Sequence, residues 1–199
     1  MKMHRRDFVV ALGAAATAAR APKSLSATPD NPYDILIRGQ YANDIQLVHQ
    51  QTGKYFGVDF RPTDMPTTWA LRLGRYVGRY NGKDVDLHGY WIFRKDANQC
   101  WQAVNYGNNR LDYWNKDGRR VGNPEDWELF SFEEVSRENR TVKIYATAYV
   151  SLRSSYPGQR PNPDGWSFYI NIAREKFRCS AKKANAAVFT VRFPNEPHP

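Results

Sequence analysis

The stretch EDWELFSF, residues 125–132, brings Trp127, Leu129, Phe130 and Phe132 into eight positions. Two other stretches resemble it: GYWIFRK at 89–95 and AAVFTVRF at 186–193. Large apolar residues interleaved with polar ones over so short a span mark a strand with a buried face. If the three are one motif used three times, each closes a repeat and the fold is built from three like units. What precedes them supports this. Each unit opens on a strand leading through a turn into a second strand: DIQLVHQQTGKYFGVDF (44–60), CWQAVNYGNNRLDYWN (100–115) and TVKIYATAYVSLRSS (141–155). The third lacks the turn glycine. Tyr55, Leu111 and Tyr149 fall at comparable places after the turn. Trp69 precedes Trp91 by 22 residues, and Trp166 precedes Phe189 by 23. On this register Trp91, Trp127 and Phe189 are equivalent core positions near a threefold axis.

The rest of the chain agrees with an all-β reading. After residue 30 no dozen-residue window keeps an apolar stripe at helical spacing with caps. Strand patterns recur at DIQLVHQ, TWALRLG, GYWIFRK, CWQAVN, WELFSF, TVKIYATAYV, WSFYINI and AVFTVRF. Thr52-Gly53, Asn81-Gly82, Asn108-Asn109, Asp117-Gly118, Pro157-Gly158 and Asp164-Gly165 supply turns between them. Three four-strand units, each too small to bury its own face, sharing one core, make a β-trefoil. IQLVHQQTGKYFGVDF and DWELFSF resemble the repeat of fascin-like trefoils, and the resemblance covers about residues 44–193. The ricin-type lectin trefoil is a weaker match, because the sole Gln-x-Trp, Gln99-Cys100-Trp101, opens a unit instead of closing one. Another closed antiparallel β-barrel, or a β-sandwich, is the alternative fold.

Residues 1–19, MKMHRRDFVVALGAAATAA, join a basic start to an apolar run from Phe8 to Ala19. That run is shorter than the roughly 20 residues that cross a bilayer, so it reads as an export signal and not a membrane span. Arg5, Arg6 and Phe8 resemble the twin-arginine signal of bacteria and archaea, and Arg20 and Lys23 disfavour the general secretion route. An ordinary secretory signal is the alternative. The chain thus divides into a signal at 1–27, a lead-in at 28–43, a trefoil at 44–193 and a tail at 194–199, with the mature protein in the periplasm or outside the cell. Cleavage after Ala27 or after Ala18 fits the pattern.

The formal charge is +9. Five of the 29 basic residues and one of the 20 acidic residues lie in the first 27, leaving 24 against 19. So diffuse an excess carries no specific nucleic-acid footprint. Cys100 and Cys179 permit one disulfide in an exported protein. With aromatic side chains in all three units, the fold is expected not to depend on them. His49, His88 and His198 stand apart and no CxxC occurs, so neither a metal site nor a cofactor is expected.

The chain offers no convincing nucleophile arrangement, phosphate loop or facing carboxylate pair, and is expected not to be an enzyme. A binding module is the leading class. NYGNNRLDYWNKDGRR (105–120) sets Tyr106, Asn108, Asn109, Asp112, Trp114 and Asn115 close together, rings and hydrogen-bonding groups of the kind that stack and bridge sugars. Tyr113 and Trp114 are neighbours in a strand, so at most one can face solvent. The partner is then a carbohydrate or another protein. For the second, the proline-bearing loop SSYPGQRPNPDGW (154–166) suits a host protein, a cytoskeletal-type partner or a protease.

Overall fold

The computed structural model describes residues 31–80, 83–104, 110–114, 124, 126–147 and 168–194. A short helix comes first, α1 (Pro32–Ile37). Asn31 caps it by accepting a hydrogen bond from the Tyr33 amide, and Pro32 occupies its first turn, where a missing N–H costs nothing. Twelve strands follow: β1 (Asp44–His49), β2 (Tyr55–Phe56), β3 (Pro62–Thr63), β4 (Thr68–Tyr80), β5 (Lys83–Arg94), β6 (Cys100–Val104), β7 (Arg110–Trp114), β8 (Leu129–Ser136), β9 (Thr141–Ala146), β10 (Tyr169–Ala173), β11 (Lys176–Ala181) and β12 (Phe189–Arg192). Among the described residues the structure is all-β apart from α1, two single 3-10 turns, Asp126–Glu128 and Lys183–Asn185, and a helical residue at Thr147. Among the described residues, no helix is long and apolar enough to cross a membrane.

Six strands close into an antiparallel ring. β1 pairs with β4, β4 with β5, β5 with β8, β8 with β9, β9 with β12, and β12 returns to β1. The other six form three hairpins: β2–β3 on β1, β6–β7 on β5, and β10–β11 on β9. Alternation decides what enters the ring. Ile45 and Leu47, Tyr90 and Ile92, Phe130 and Phe132, and Val142 and Ile144 are all buried in one cluster, as period-two side chains facing one side of a strand should be. The hairpins meet over aromatic rings. Phe56 of β2 stacks on Trp101 of β6 at 4.4 Å and on Phe177 of β11 at 4.0 Å, so each hairpin contributes one ring.

The lead-in closes one part of this core. Tyr33 and Leu36 of α1 are buried in the main cluster. The Tyr33 hydroxyl donates to the Thr141 carbonyl at 2.9 Å. The Tyr90 hydroxyl donates to the Leu36 carbonyl at 2.9 Å and accepts from the Tyr41 amide at 3.0 Å. Burial pushes both phenols up to about 12. Asp34 meets Arg137 at 2.6 Å on the rim.

The register drawn from the sequence needs correcting. GYWIFRK closes nothing: it lies in β5, which returns from β4 and enters the second set of strands, while WELFSF and AVFTVRF reach β8 and β12. CWQAVN is β6, an inner hairpin strand, so Leu111 in β7 is not the counterpart of Tyr55 in β2. Trp91, Trp127 and Phe189 are therefore not equivalent. Phe189 is fully buried, but Trp91 and Trp127 are only half-buried. The alternation that sends Tyr90 and Ile92 inward turns Trp91 to the opposite face, where it packs with Leu87, Leu129 and Tyr76. Trp127 sits on the 3-10 turn before β8 and so misses the strand's inward face.

β4 and β5 outgrow the ring. Their ladder runs from Trp69↔Arg94 to Tyr80↔Lys83. β1 meets β4 only at residues 68–70, and β8 meets β5 only at Tyr90 and Trp91. Beyond these the two strands form an arm. At its base Gly74 is closely packed: a Cβ there would lie 2.3 Å from Leu129 Cδ2 and 3.0 Å from the Trp91 ring, so those side chains would have to shift.

Cys100 and Cys179 are both buried and both free thiols. They belong to different clusters, Cys100 with Phe93 and Trp114, Cys179 in the main core. Cys179 donates to the Phe168 carbonyl at 2.9 Å, and burial pushes both thiols well up.

Candidate functional site

Of the residues gathered at 105–120, Tyr106, Asn108, Asn109 and Asn115 lie outside the described residues, as does the loop 154–166. Asp112 and Trp114 are in β7. The β6–β7 register sets Trp114 opposite Cys100 and Tyr113 opposite Trp101, so the two rings take opposite faces of the hairpin. Both rings are packed. Trp114 is 7% exposed and packs with Phe93 and Cys100, which leaves no ring face to stack on a ligand. Tyr113 packs on Phe60 at 4.6 Å, donates its hydroxyl to the Val58 carbonyl at 2.5 Å, and lies under the Arg94 guanidinium at 5.8 Å. Burial pushes its phenol far above the usual range. Asp112 is half-buried and turns a carboxylate oxygen back to the Tyr113 amide at 2.9 Å.

A different surface brings polar side chains together. β1 ends at His49, and the chain turns through Gln50–Gly53. Gly53 takes a φ of +67°, open to glycine without strain, and its amide donates to the His49 carbonyl at 2.9 Å. The Gln50 amide donates to the Val188 carbonyl at 2.9 Å, tying this turn to the segment that enters β12. The Ala187 amide donates to the Ile170 carbonyl at 2.8 Å, tying that segment in turn to β10. Between these elements lies a cleft of about 600 Å³, lined by His49, Gln50, Gln51, Asn171, Asn185 and the apolar run Ile172 and Ala186–Val188.

The chemistry of this cleft is uniform. Among the described residues, four carboxamides and an imidazole supply its polar side chains, and no Asp, Glu, Lys or Arg lines it. His49 is 4% exposed, its Nδ1 lies 2.9 Å from the Thr52 hydroxyl, and its ring meets Phe177 and Phe189. Burial holds its pKa below the ordinary histidine value, so the imidazole is neutral at pH 7. Each carboxamide carries two N–H donors and a carbonyl acceptor. The walls thus offer both halves of a hydrogen bond without charge, beside short apolar side chains.

Two further clefts differ. One of about 660 Å³, beside Val58, Arg61, Met65, Lys95 and Asp96, mixes both charge signs with an exposed thioether. One of about 520 Å³ lies at the base of the arm among Arg38, Leu73, Arg75, His88, Phe132 and Tyr145. There Arg75 is committed to Asp86 through two bonds, 2.8 and 2.7 Å. The pairing with Asp86 raises the Arg75 pKa, and the Arg75 hydrogen bond lowers that of Asp86.

Sequence reasoning missed the amide-lined cleft because Gln50 and Gln51 stand more than 100 positions from Asn171 and Asn185. They are joined by the pairing of β12 with β1 and by the Gln50–Val188 and Ala187–Ile170 backbone bonds. The chain matches no protein-family model, no curated protein and no solved structure.

Proposed function

We propose that this chain is an exported, non-catalytic binding module on a β-trefoil scaffold, and that its ligand is carbohydrate. The trefoil reading is supported by the order of elements. A ring strand, a hairpin and a second ring strand recur three times, as β1 to β4, β5 to β8 and β9 to β12. Export to the periplasm or beyond rests on Arg5, Arg6 and Phe8 in the first residues. Scaffold alone selects no ligand. The observation that carries the sugar reading is the cleft at His49, Gln50, Gln51, Asn171 and Asn185. Vicinal hydroxyls donate and accept together, and a carboxamide answers both in one plane. Ile172 and Val188 suit the C–H faces of a pyranose.

A glycan array probed with the mature protein tests the ligand class. Binding should fall about fivefold for each exposed carboxamide truncated to Ala, the equivalent of roughly 1 kcal/mol per hydrogen bond. A folded sample that binds no glycan refutes the reading. Export is tested separately: Lys at both Arg5 and Arg6 should hold the protein in the cytoplasm, because an ammonium lacks the planar guanidinium fork. Normal export of that variant refutes the twin-arginine assignment.

A second reading, a protein partner, is favoured by the arm. Leu73 and Val77 sit on one face of β4 at 51% and 65% exposure, and large apolar side chains on a projecting hairpin suit a protein surface. Leu73→Ser with Val77→Ser should abolish capture of such a partner without changing the thermal midpoint by more than about 2 °C.

A further inference from the structure

We infer that the amide-lined cleft selects uncharged glycans and rejects acidic ones, against the sign of the whole chain; this rests on the carbohydrate reading above. The chain carries +9, and the part beyond residue 27 still has 24 basic residues against 19 acidic, a sign that attracts anionic polymers at long range. Selectivity at contact is decided by what the ligand touches, and among the described residues the cleft lining has no cation. Lys183 on the 3-10 turn and Lys143 on β9 are engaged elsewhere. Lys183, two residues before Asn185, meets Glu133 at 2.6 Å. Lys143 donates to the Lys183 carbonyl at 2.9 Å. Glu133 also accepts the Tyr169 hydroxyl at 2.7 Å. Burial works to raise its carboxyl pKa, but the bonds from Lys183 and Tyr169 outweigh it and hold the carboxyl below the ordinary glutamate value. It stays ionised and keeps Lys183.

His49 does not substitute for a lysine. It is buried, flanked by the Phe177 and Phe189 rings, and bonded through Nδ1 to Thr52. A uronate or sulfate seated here would lose water and meet only neutral dipoles, and an ion desolvated without a counter-charge is strongly disfavoured. A neutral sugar exchanges water for carboxamides of equal polarity. The cleft therefore discriminates by what it withholds.

The test uses the mature protein with two sets of hexasaccharides. The neutral set is cello-, malto-, xylo-, manno- and chitohexaose; the acidic set is hexagalacturonate and a heparin hexamer. Affinities are read by calorimetry at 50 and 500 mM NaCl. Expected is binding of a neutral member that changes less than about twofold with salt, since no ion pair is there to be screened. It should fall at least fivefold in Gln51→Ala and Asn185→Ala. Both positions are exposed, so neither variant threatens folding. Asn185→Lys should bring hexagalacturonate binding that salt abolishes.

Tighter, salt-sensitive binding of the acidic set by the unaltered protein overturns the selectivity and leaves the carbohydrate reading standing. Neutral binding indifferent to Gln51→Ala and Asn185→Ala overturns the placement in this cleft, again without touching that reading. Binding of neither set overturns both.

Discussion

Tyr90→Phe removes one oxygen from the junction between α1 and the ring. The Tyr90 hydroxyl donates to the Leu36 carbonyl at 2.9 Å and accepts the Tyr41 amide at 3.0 Å. The two losses are unequal. The Leu36 carbonyl keeps the Gly39 amide at 3.0 Å, so it forfeits one bond of about 1 kcal/mol and is not stranded. The Tyr41 amide loses its acceptor in a partly buried setting, which costs about 1–2 kcal/mol. Phe fills the same ring volume, so no cavity is added. The sum is about 2–3 kcal/mol, or about 4–12 °C in thermal midpoint for a chain of this size. Urea denaturation measures the energy, and hydrogen exchange at residues 33–41 locates it. Those amides should exchange faster than in the parent, while those of β8 and β9 change only with global stability. A loss below about 0.5 kcal/mol, with exchange at 33–41 unchanged, would refute the claim that α1 is held by this phenol.

Four other outcomes follow from the packing. Trp69 donates its indole N–H to the Phe56 carbonyl at 3.1 Å, whereas the buried Trp101 N–H finds no acceptor among the described residues; Trp69→Phe should therefore cost about 1 kcal/mol more than Trp101→Phe in chemical denaturation. Gly74→Ala should destabilise by about 1–3 kcal/mol, because its methyl would overlap Leu129 and Trp91. His49 is held below its unfolded pKa of about 6.5 by burial, so its contribution is complete above that value and lost as pH falls; a stability–pH curve should drop below pH 6.5, and His49→Gln should flatten that drop. Reductant should leave the thermal midpoint unchanged, since Cys100 and Cys179 are free thiols in separate clusters, and a denatured thiol assay should find both.

The strands were legible because alternation is local. Ile45 and Leu47, or Val142 and Ile144, announce their inward face within five residues. The strand register across the chain was not legible in the same way. GYWIFRK and WELFSF share composition because both pack a ring interior, although one enters a set of strands and the other leaves it. Composition reports burial and is silent on order. The helix at 32–37 was overlooked for a related reason: six residues give too little pattern for a 3.6-residue period, and its stability comes from Tyr33 and Leu36 in the core. The Asn31-Pro32 pair with Asp34 behind it was the available signal. Trp114 could be drawn as a binding ring only while Phe93 and Cys100 were unknown neighbours. The cleft joins side chains from opposite ends of the chain, which no local pattern encodes.

The ring is completed by β1 against β12, with Gln46 opposite Arg192 and His49 opposite Phe189. Among the described residues the first strand is thus sealed by the last. During synthesis the earlier strands have no second edge to close on until residue 192 has left the ribosome, and the lead-in waits likewise for Thr141, which accepts the Tyr33 hydroxyl, and for Phe193, which meets the Tyr41 ring at 5.1 Å. Contacts of such sequence separation are slow to form because the loop entropy is lost before any contact repays it. A chain stopped a few residues short of β12 would carry every other described strand and still present two open edges, so folding is a clasp fastened when β12 arrives rather than a structure that accumulates strand by strand.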